Sequence, residues 1–230
     1  MTSSAHTGSG GQAVALHAYG PGGPYQPMKA CGDRFAEVTG AGVVTTKGVP
    51  ASWIGQARED GDLIYGGADY MLVDYDRECP GLLDMNAVVN LYPRRVGLIV
   101  RKGNPRGLET VDDMGRGGLR VLDVQLEKME AFQSAARSAG TIACSVVTGE
   151  EGRAAWLSDR GLDAWVTYRS WHATMADETD FLPILGPAAV LRSTPVALTR
   201  LTAQRELTRA YVEFLRSGEA HAIFRSFGWE

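Results

Sequence analysis

The stretch Tyr19-Gly20-Pro21-Gly22-Gly23-Pro24 packs glycine and proline so densely that neither a helix nor a strand can run through it. It separates two segments of different period. Ala13-Val14-Ala15-Leu16-His17-Ala18-Tyr19 is short, apolar and nearly uncharged, as a buried strand of a parallel sheet is. Beyond the turn, Met28, Cys31, Phe35 and Val38 recur at helical spacing while Lys29, Asp33, Arg34 and Glu37 fall on the other face, so a helix is expected from near Pro24 to Gly40. A strand, a glycine turn and a helix in that order leave backbone N–H groups open at the helix start. Such groups attract anions, and glycine lets a ligand approach the backbone. The turn has neither the Gly-Lys-Ser/Thr ending of a phosphate loop nor the spacing of the dinucleotide fingerprint. It is thus either a ligand-binding loop or a plain strand-to-helix connection.

The same order recurs downstream. Leu63-Ile64-Tyr65 runs directly into Gly66-Gly67-Ala68-Asp69-Tyr70-Met71, again a strand, small residues and a helix start. Neighbouring parallel strands present their carboxyl ends together, so both glycine loops are expected to face one crevice. Asn86 to Val100 is β-rich, long and broken at Pro93, which suits a crossover between two lobes. A second α/β unit follows. Its expected parts include a strand at 119–124, a helix from Glu127 to Ala139 with Glu127, Glu130, Gln133 and Arg137 mostly outside, and a helix from Gly152 to Arg160. Asp163 to Tyr168 then forms a strand that delivers Arg169-Ser170-Trp171-His172 at its end. Pro195 to Thr199 leads back to the first lobe, and helices at 204–217 and 219–227 close the chain. The expected architecture is α/β, with two lobes, mixed sheets and helices on both faces. Residues 1–12 read as a disordered tail, 13–93 with 190–230 as one lobe, and 94–189 as the other.

The 44% hydrophobic content of 230 residues supports such cores. A net charge of −4 provides no basic footprint for nucleic acid or an anionic membrane surface. Cys31, Cys79 and Cys144 show no metal-ligand spacing and read as free thiols; no metal or cofactor is expected. No segment approaches the roughly 20 apolar residues of a membrane span. The first residues lack the basic lead and apolar core of an export signal, which points to the cytoplasm if the chain is complete.

Three further stretches carry a resemblance. Leu91-Tyr92-Pro93-Arg94-Arg95-Val96-Gly97-Leu98-Ile99-Val100-Arg101-Lys102-Gly103-Asn104-Pro105 is similar to the hinge strand and Lys-Gly-Asn-Pro turn of the type II periplasmic solute-binding proteins, particularly the molybdate/sulfate group. Residues 210–220, running into Phe224-Arg225-Ser226-Phe227-Gly228-Trp229, resemble that group's closing helices. The first glycine loop, Trp53 and Leu63 to Asp69 look most like the accessory colonisation factor C subgroup. The resemblance spans nearly the whole chain after residue 13. It implies a monomer in the periplasm or outside the cell that binds a small anionic solute and partners an ABC-transporter permease. It further implies a cleft between the lobes, with three loops closing on the solute: the loop holding Tyr19, Gly20, Gly22 and Gly23; Gly66-Gly67-Ala68; and Tyr168-Arg169-Ser170. Hydroxyl residues common in the simplest oxyanion binders are replaced here by Gly, Pro and Ala, and Tyr19, Tyr65, Tyr70, Tyr168 and Trp171 fall at expected cleft edges. Both departures suggest an organic carboxylate, sulfonate or phosphonate.

Several side chains admit two roles. Arg94 and Arg95 are consecutive on a strand, so at most one aims into the cleft; either serves a ligand or an ion pair. Arg169 follows a buried strand at its carboxyl end and is a ligand candidate. Trp53 either walls the pocket or packs in the core, and His172 is a structural histidine or a general base. No catalytic residue is assigned. A solute-binding protein is expected, with a cytoplasmic enzyme on the same fold acting on a small anionic metabolite, in which His172, Arg169 or Cys31 would act, and a ligand-sensing module as alternatives.

Overall fold

The computed structural model describes residues 15–230, so the tail expected at 1–12 lies outside the described residues. The first unit alternates strands and helices: β1 (Ala15–Gly20), α1 (Tyr25–Thr39), β2 (Gly42–Lys47), α2 (Pro50–Asp60), β3 (Leu63–Tyr65) and α3 (Met71–Glu78). β4 (Val89–Arg101) is the long crossover strand. The second unit holds β5 (Val121–Val124), α4 (Ser134–Ala139), β6 (Ile142–Val146), α5 (Gly149–Ser158), β7 (Ala164–Tyr168), α6 (Arg169–Ala173) and β8 (Thr179–Pro183). β9 (Leu191–Leu198), α7 (Arg205–Leu215) and α8 (Gly218–Ser226) complete the chain.

β1 pairs in parallel with both β2 and β3, so the two glycine loops do leave one sheet edge side by side. β9 runs antiparallel between β3 and the first half of β4, while the second half of β4 pairs with β7 and β8 and is joined through β7 to β5 and β6. One strand therefore belongs to two sheets. Its register with β9 shifts between Asn90 and Pro93. Proline lacks the ladder N–H, and the local break there lets the strand leave one sheet for the other. The result is the expected two-lobe α/β fold of mixed sheets with helices on both faces.

Each lobe has its own core. Leu16, Met28, Phe35, Tyr211 and Phe224 pack on one face of the first sheet beneath α1, α7 and α8, and Trp53, Ile64, Leu72 and Tyr75 pack on the other beneath α2 and α3. The second lobe is built on Val96, Ile99, Leu122, Trp156, Trp165 and Val166. α1 stops where Gly40 takes a left-handed conformation, φ 78°, that a side chain would disfavour.

One expected element is not formed. In place of a helix from Glu127 to Ala139 there are two short 3-10 turns, Gln125–Glu127 and Glu130–Phe132, and only then α4. Lys128 breaks the run with φ 50°, and Glu127 and Gln133, expected outside, are buried at 7% and 0% exposure. The helical period of Met129, Phe132 and Ala136 was real but came from a turn that wraps the cleft, where tertiary contacts override propensity.

Glycine placement yields a stability test. A Cβ on Gly20 would lie 2.4 Å from the Tyr65 ring and 2.5 Å from its carbonyl oxygen, whereas one on Gly55, in α2, meets nothing within 4 Å. Gly20→Ala is expected to cost about 1–3 kcal/mol by overpacking, and Gly55→Ala to add about 0.5–1 kcal/mol. Urea unfolding of the two variants against the parent measures both signs.

Candidate functional site

Where the two lobes meet, the chain encloses a cavity of about 420 Å³. Four helix starts reach it: Gly22-Gly23-Pro24 ahead of α1, Val49-Pro50-Ala51 at α2, Tyr70-Met71 at α3, and Thr148-Gly149-Glu150 at α5. Their dipoles place partial positive charge around one space. Most of the remaining wall is apolar, from Pro21, Tyr75, Leu126, Val147, Tyr168 and Trp171.

The charged group at the centre is Arg94. It is 2% exposed, and its guanidinium lies 3.8 Å above the Tyr168 ring and 5.1 Å from that of Trp229. It donates to the Gly67 carbonyl and, at 3.4 Å, to Ser170 Oγ, both neutral acceptors, and its Nε has no partner among the described residues. Burial draws its pKa down, yet a guanidinium stays charged at any working pH. Its neighbour Arg95 points the other way, into a two-pronged pair with Glu230 at 2.5 and 2.8 Å. The alternation along β4 thus assigns one arginine to the cavity and one to an ion pair. A Cβ on Gly23 would sit 3.2 Å from Arg94, so a glycine there lets the first loop close on the guanidinium.

Glu127, at the end of the first 3-10 turn, also lines the cavity. Thr167 Oγ1 and Trp171 Nε1 each donate to its carboxylate at 2.7 Å, and burial pushes its pKa up to about 7 against the opposing pull of these donors and of Arg94 and Arg192. Arg192 donates to the main-chain oxygens of Glu127 and Lys128 and to the Tyr168 hydroxyl, which locks this turn to β9. Across the mouth, Lys128 pairs with Asp74 at 2.7 Å, Tyr70 donates to the Leu126 carbonyl, and Lys47 pairs with Glu150. These contacts join the first unit to the second around the cavity.

Of the residues singled out from sequence, Gly22, Gly23, Gly67, Arg94 and Tyr168 line the cavity, as do Tyr70 and Trp171. Ser170 reaches it only through Arg94 and lines an adjoining hollow. Others stand behind it. Tyr19 is 1% exposed and donates to Asp60, Trp53 is 2% exposed and donates to the Gly48 carbonyl, and Tyr65 donates to the Thr46 carbonyl. Gly20, Gly66 and Ala68 shape the two loops from below: Gly20 packs on Tyr65, Gly66 donates to the Pro195 carbonyl, and Ala68 is fully buried.

Arg169 does not meet the cavity. It is exposed on a separate outer hollow with Arg95, Lys102 and His172, because α6 begins at that residue and turns it outward. His172 shares that hollow and bonds Thr179, and Cys31 is sealed in the core with its thiol pushed up to about 12 by burial. Asp69 accepts from the Ser193 N–H and hydroxyl, tying its loop to β9.

Sequence reasoning missed Glu127, Lys128, Arg192 and the start of α5. Only the last had a local signal, since Thr148 and Glu151 form a capping box three residues apart.

Glu127 carries a pH dependence of known sign. An acid whose folded pKa lies above its unfolded value favours folding while protonated; that contribution is complete below about pH 4.5 and is lost as pH rises through about 7. A displacement of this size corresponds to roughly 3 kcal/mol. Urea unfolding should show the parent losing stability between pH 5 and 8 relative to Glu127→Gln, which has no carboxyl to ionise; parallel pH profiles would contradict the burial of the charge.

The architecture matches solved structures. Peb3 from Campylobacter jejuni superposes with a TM-score of 0.80 at 23% identity, over 94% of this chain and 99% of its own. The sulfate-binding protein SubI from Mycobacterium tuberculosis does so at 0.73 and 16%, over 94% and 86%. The periplasmic molybdate-binding protein of Azotobacter vinelandii gives 0.71 and 12%, over 94% and 98%. No curated protein sequence matches the chain. The family model described as bacterial extracellular solute-binding protein matches residues 16–230, and the chain belongs to that family.

Proposed function

We propose that the protein captures a small organic anion in the interlobe cavity and holds it by closure of the lobes, for delivery or sensing and without chemistry. The observation that carries this reading is Arg94, a buried guanidinium whose hydrogen-bond partners are all neutral, in a cavity ringed by helix starts. A bound carboxylate, sulfonate or phosphonate supplies the missing counter-charge. Each hydrogen bond to a charged group is worth about 1.5–3 kcal/mol, so a few converging donors suffice for micromolar binding. The apolar and aromatic walls and the cavity volume favour an anion with an organic body over a bare oxyanion. Peb3 has been solved with L-phospholactate, and the sulfate and molybdate binders share the fold, which supports the anion class.

In this reading Gly22, Gly23, Gly67, Arg94 and Tyr168 contact the solute, with Ser170 positioning Arg94. Residues 13–93 with 190–230 and residues 94–189 act as the two closing lobes. The protein works as a monomer outside the cytoplasmic membrane, hands its solute to a permease, and falls nearest the accessory colonisation factor C subgroup.

A thermal-shift panel of sulfate, molybdate, phosphonates, sulfonates and dicarboxylates tests this. A compound at about 100 times its dissociation constant adds about 2.7 kcal/mol of stability, which raises the midpoint of a chain this size by about 5–10 °C. Arg94→Gln is expected to erase the shift, and Arg94→Lys to keep part of it. A panel without any shift would sink the assignment.

A further inference from the structure

Glu127 is a carboxylate in the wall of a cavity suited to anions, and its position calls for a partner of its own. Both its direct donors, Thr167 and Trp171, are neutral. Arg192 reaches its main-chain oxygen and not its carboxylate, and among the described residues no cation is in ion-pair contact with it. Arg94 and Glu127 thus line one cavity as buried groups of opposite charge, each held by neutral partners and not by each other. Leaving both so is costly, because neutral hydrogen-bond partners return only part of the hydration that a buried ion loses. A ligand bearing one charge relieves one of them and repels the other. Trp171, whose Nε1 donates to Glu127, adds an aromatic face to the same space, while the nearby Tyr70 ring and Asp74 are already taken up by Lys128.

We propose that the solute is a small zwitterion, with its acid group held by Arg94 and its ammonium group by Glu127. This rests on the reading of the cavity as an anion site. The titratable and charged groups around Glu127 are Arg94 on β4, Arg192 on β9, Tyr168 on β7, Tyr70 ahead of α3, and Lys128 next to it in the chain. With these fixed, an ammonium group favours the ionised carboxylate, so binding expels a proton and tightens as pH rises from about 6 to 8. An anion without the amine favours the protonated carboxyl and shows the opposite slope.

Calorimetric titration of matched pairs tests the proposal: 2-aminoethylphosphonate against ethylphosphonate, taurine against ethanesulfonate, and 4-aminobutyrate against butyrate. For at least one pair, the amine-bearing member is expected to bind the parent protein at pH 8 at least tenfold more tightly, and Glu127→Gln to bring the ratio to about one. Titrations of the parent at pH 7 in two buffers of different ionisation enthalpy need no variant and should read proton release beyond any that the ligand's own acid group contributes, which is nil for taurine and 4-aminobutyrate. Equal affinity within every pair, or proton uptake, overturns the zwitterion while leaving the anion reading intact, provided that Arg94→Gln abolishes binding of both members. No binding by any member overturns both.

Discussion

A guanidinium buried without a carboxylate partner is the constraint around which this cavity is arranged. Removing Arg94 from water carries a desolvation cost that the Gly67 carbonyl, the Ser170 hydroxyl and the Tyr168 ring offset only in part. Those groups and Arg94 itself come from three places in the chain. β4 must cross between sheets at Pro93 so that the next residue points inward; the Gly67 loop must leave β3 beside the first loop; and β7 must end at Tyr168 so that its ring lies flat against the guanidinium. Each sheet relationship has a visible consequence at this one side chain.

The lobes and their junction differ in kind. Each lobe is held by fully buried aromatic and aliphatic side chains, whereas the contacts around the mouth are ion pairs such as Lys47–Glu150 and Lys128–Asp74, with side chains about a third to a half exposed. Exposed pairs of this kind contribute about 0–1 kcal/mol each. The two cores are thus joined only by a pair of crossing strands and by polar contacts weaker than the packing within either lobe. Arg192, which runs from β9 to the turn at Glu127, keeps one side of the cavity wall in register.

Much of the fold was legible in the chain. The glycine turn after a short apolar run marked both the end of β1 and the start of α1, and the parallel pairing of β1 with β3 followed from the repeat of that pattern at Leu63 to Met71. Alternation along β4 predicted that Arg94 and Arg95 would part, and they do. The helix expected at Glu127 to Ala139 failed because its period reported burial against a turn and not a helical face. Arg169 lies outside the cavity for a different reason: position at a strand's end says nothing about which way the next backbone dihedral turns a side chain, and of the two roles open to Trp53 the structure shows core packing.

Sequence alone determined most of the elements, the crossover and the net charge, because local period, turn chemistry and composition are properties of neighbouring residues or of the chain as a whole. Only the tertiary structure decided which of two adjacent arginines is buried, that Glu127 faces the same space, and that four helix starts converge there. These depend on contacts between residues tens of positions apart, such as Gly67 with Arg94 and Glu127 with Thr167, whose energies arise only when the lobes exclude water from the space between them.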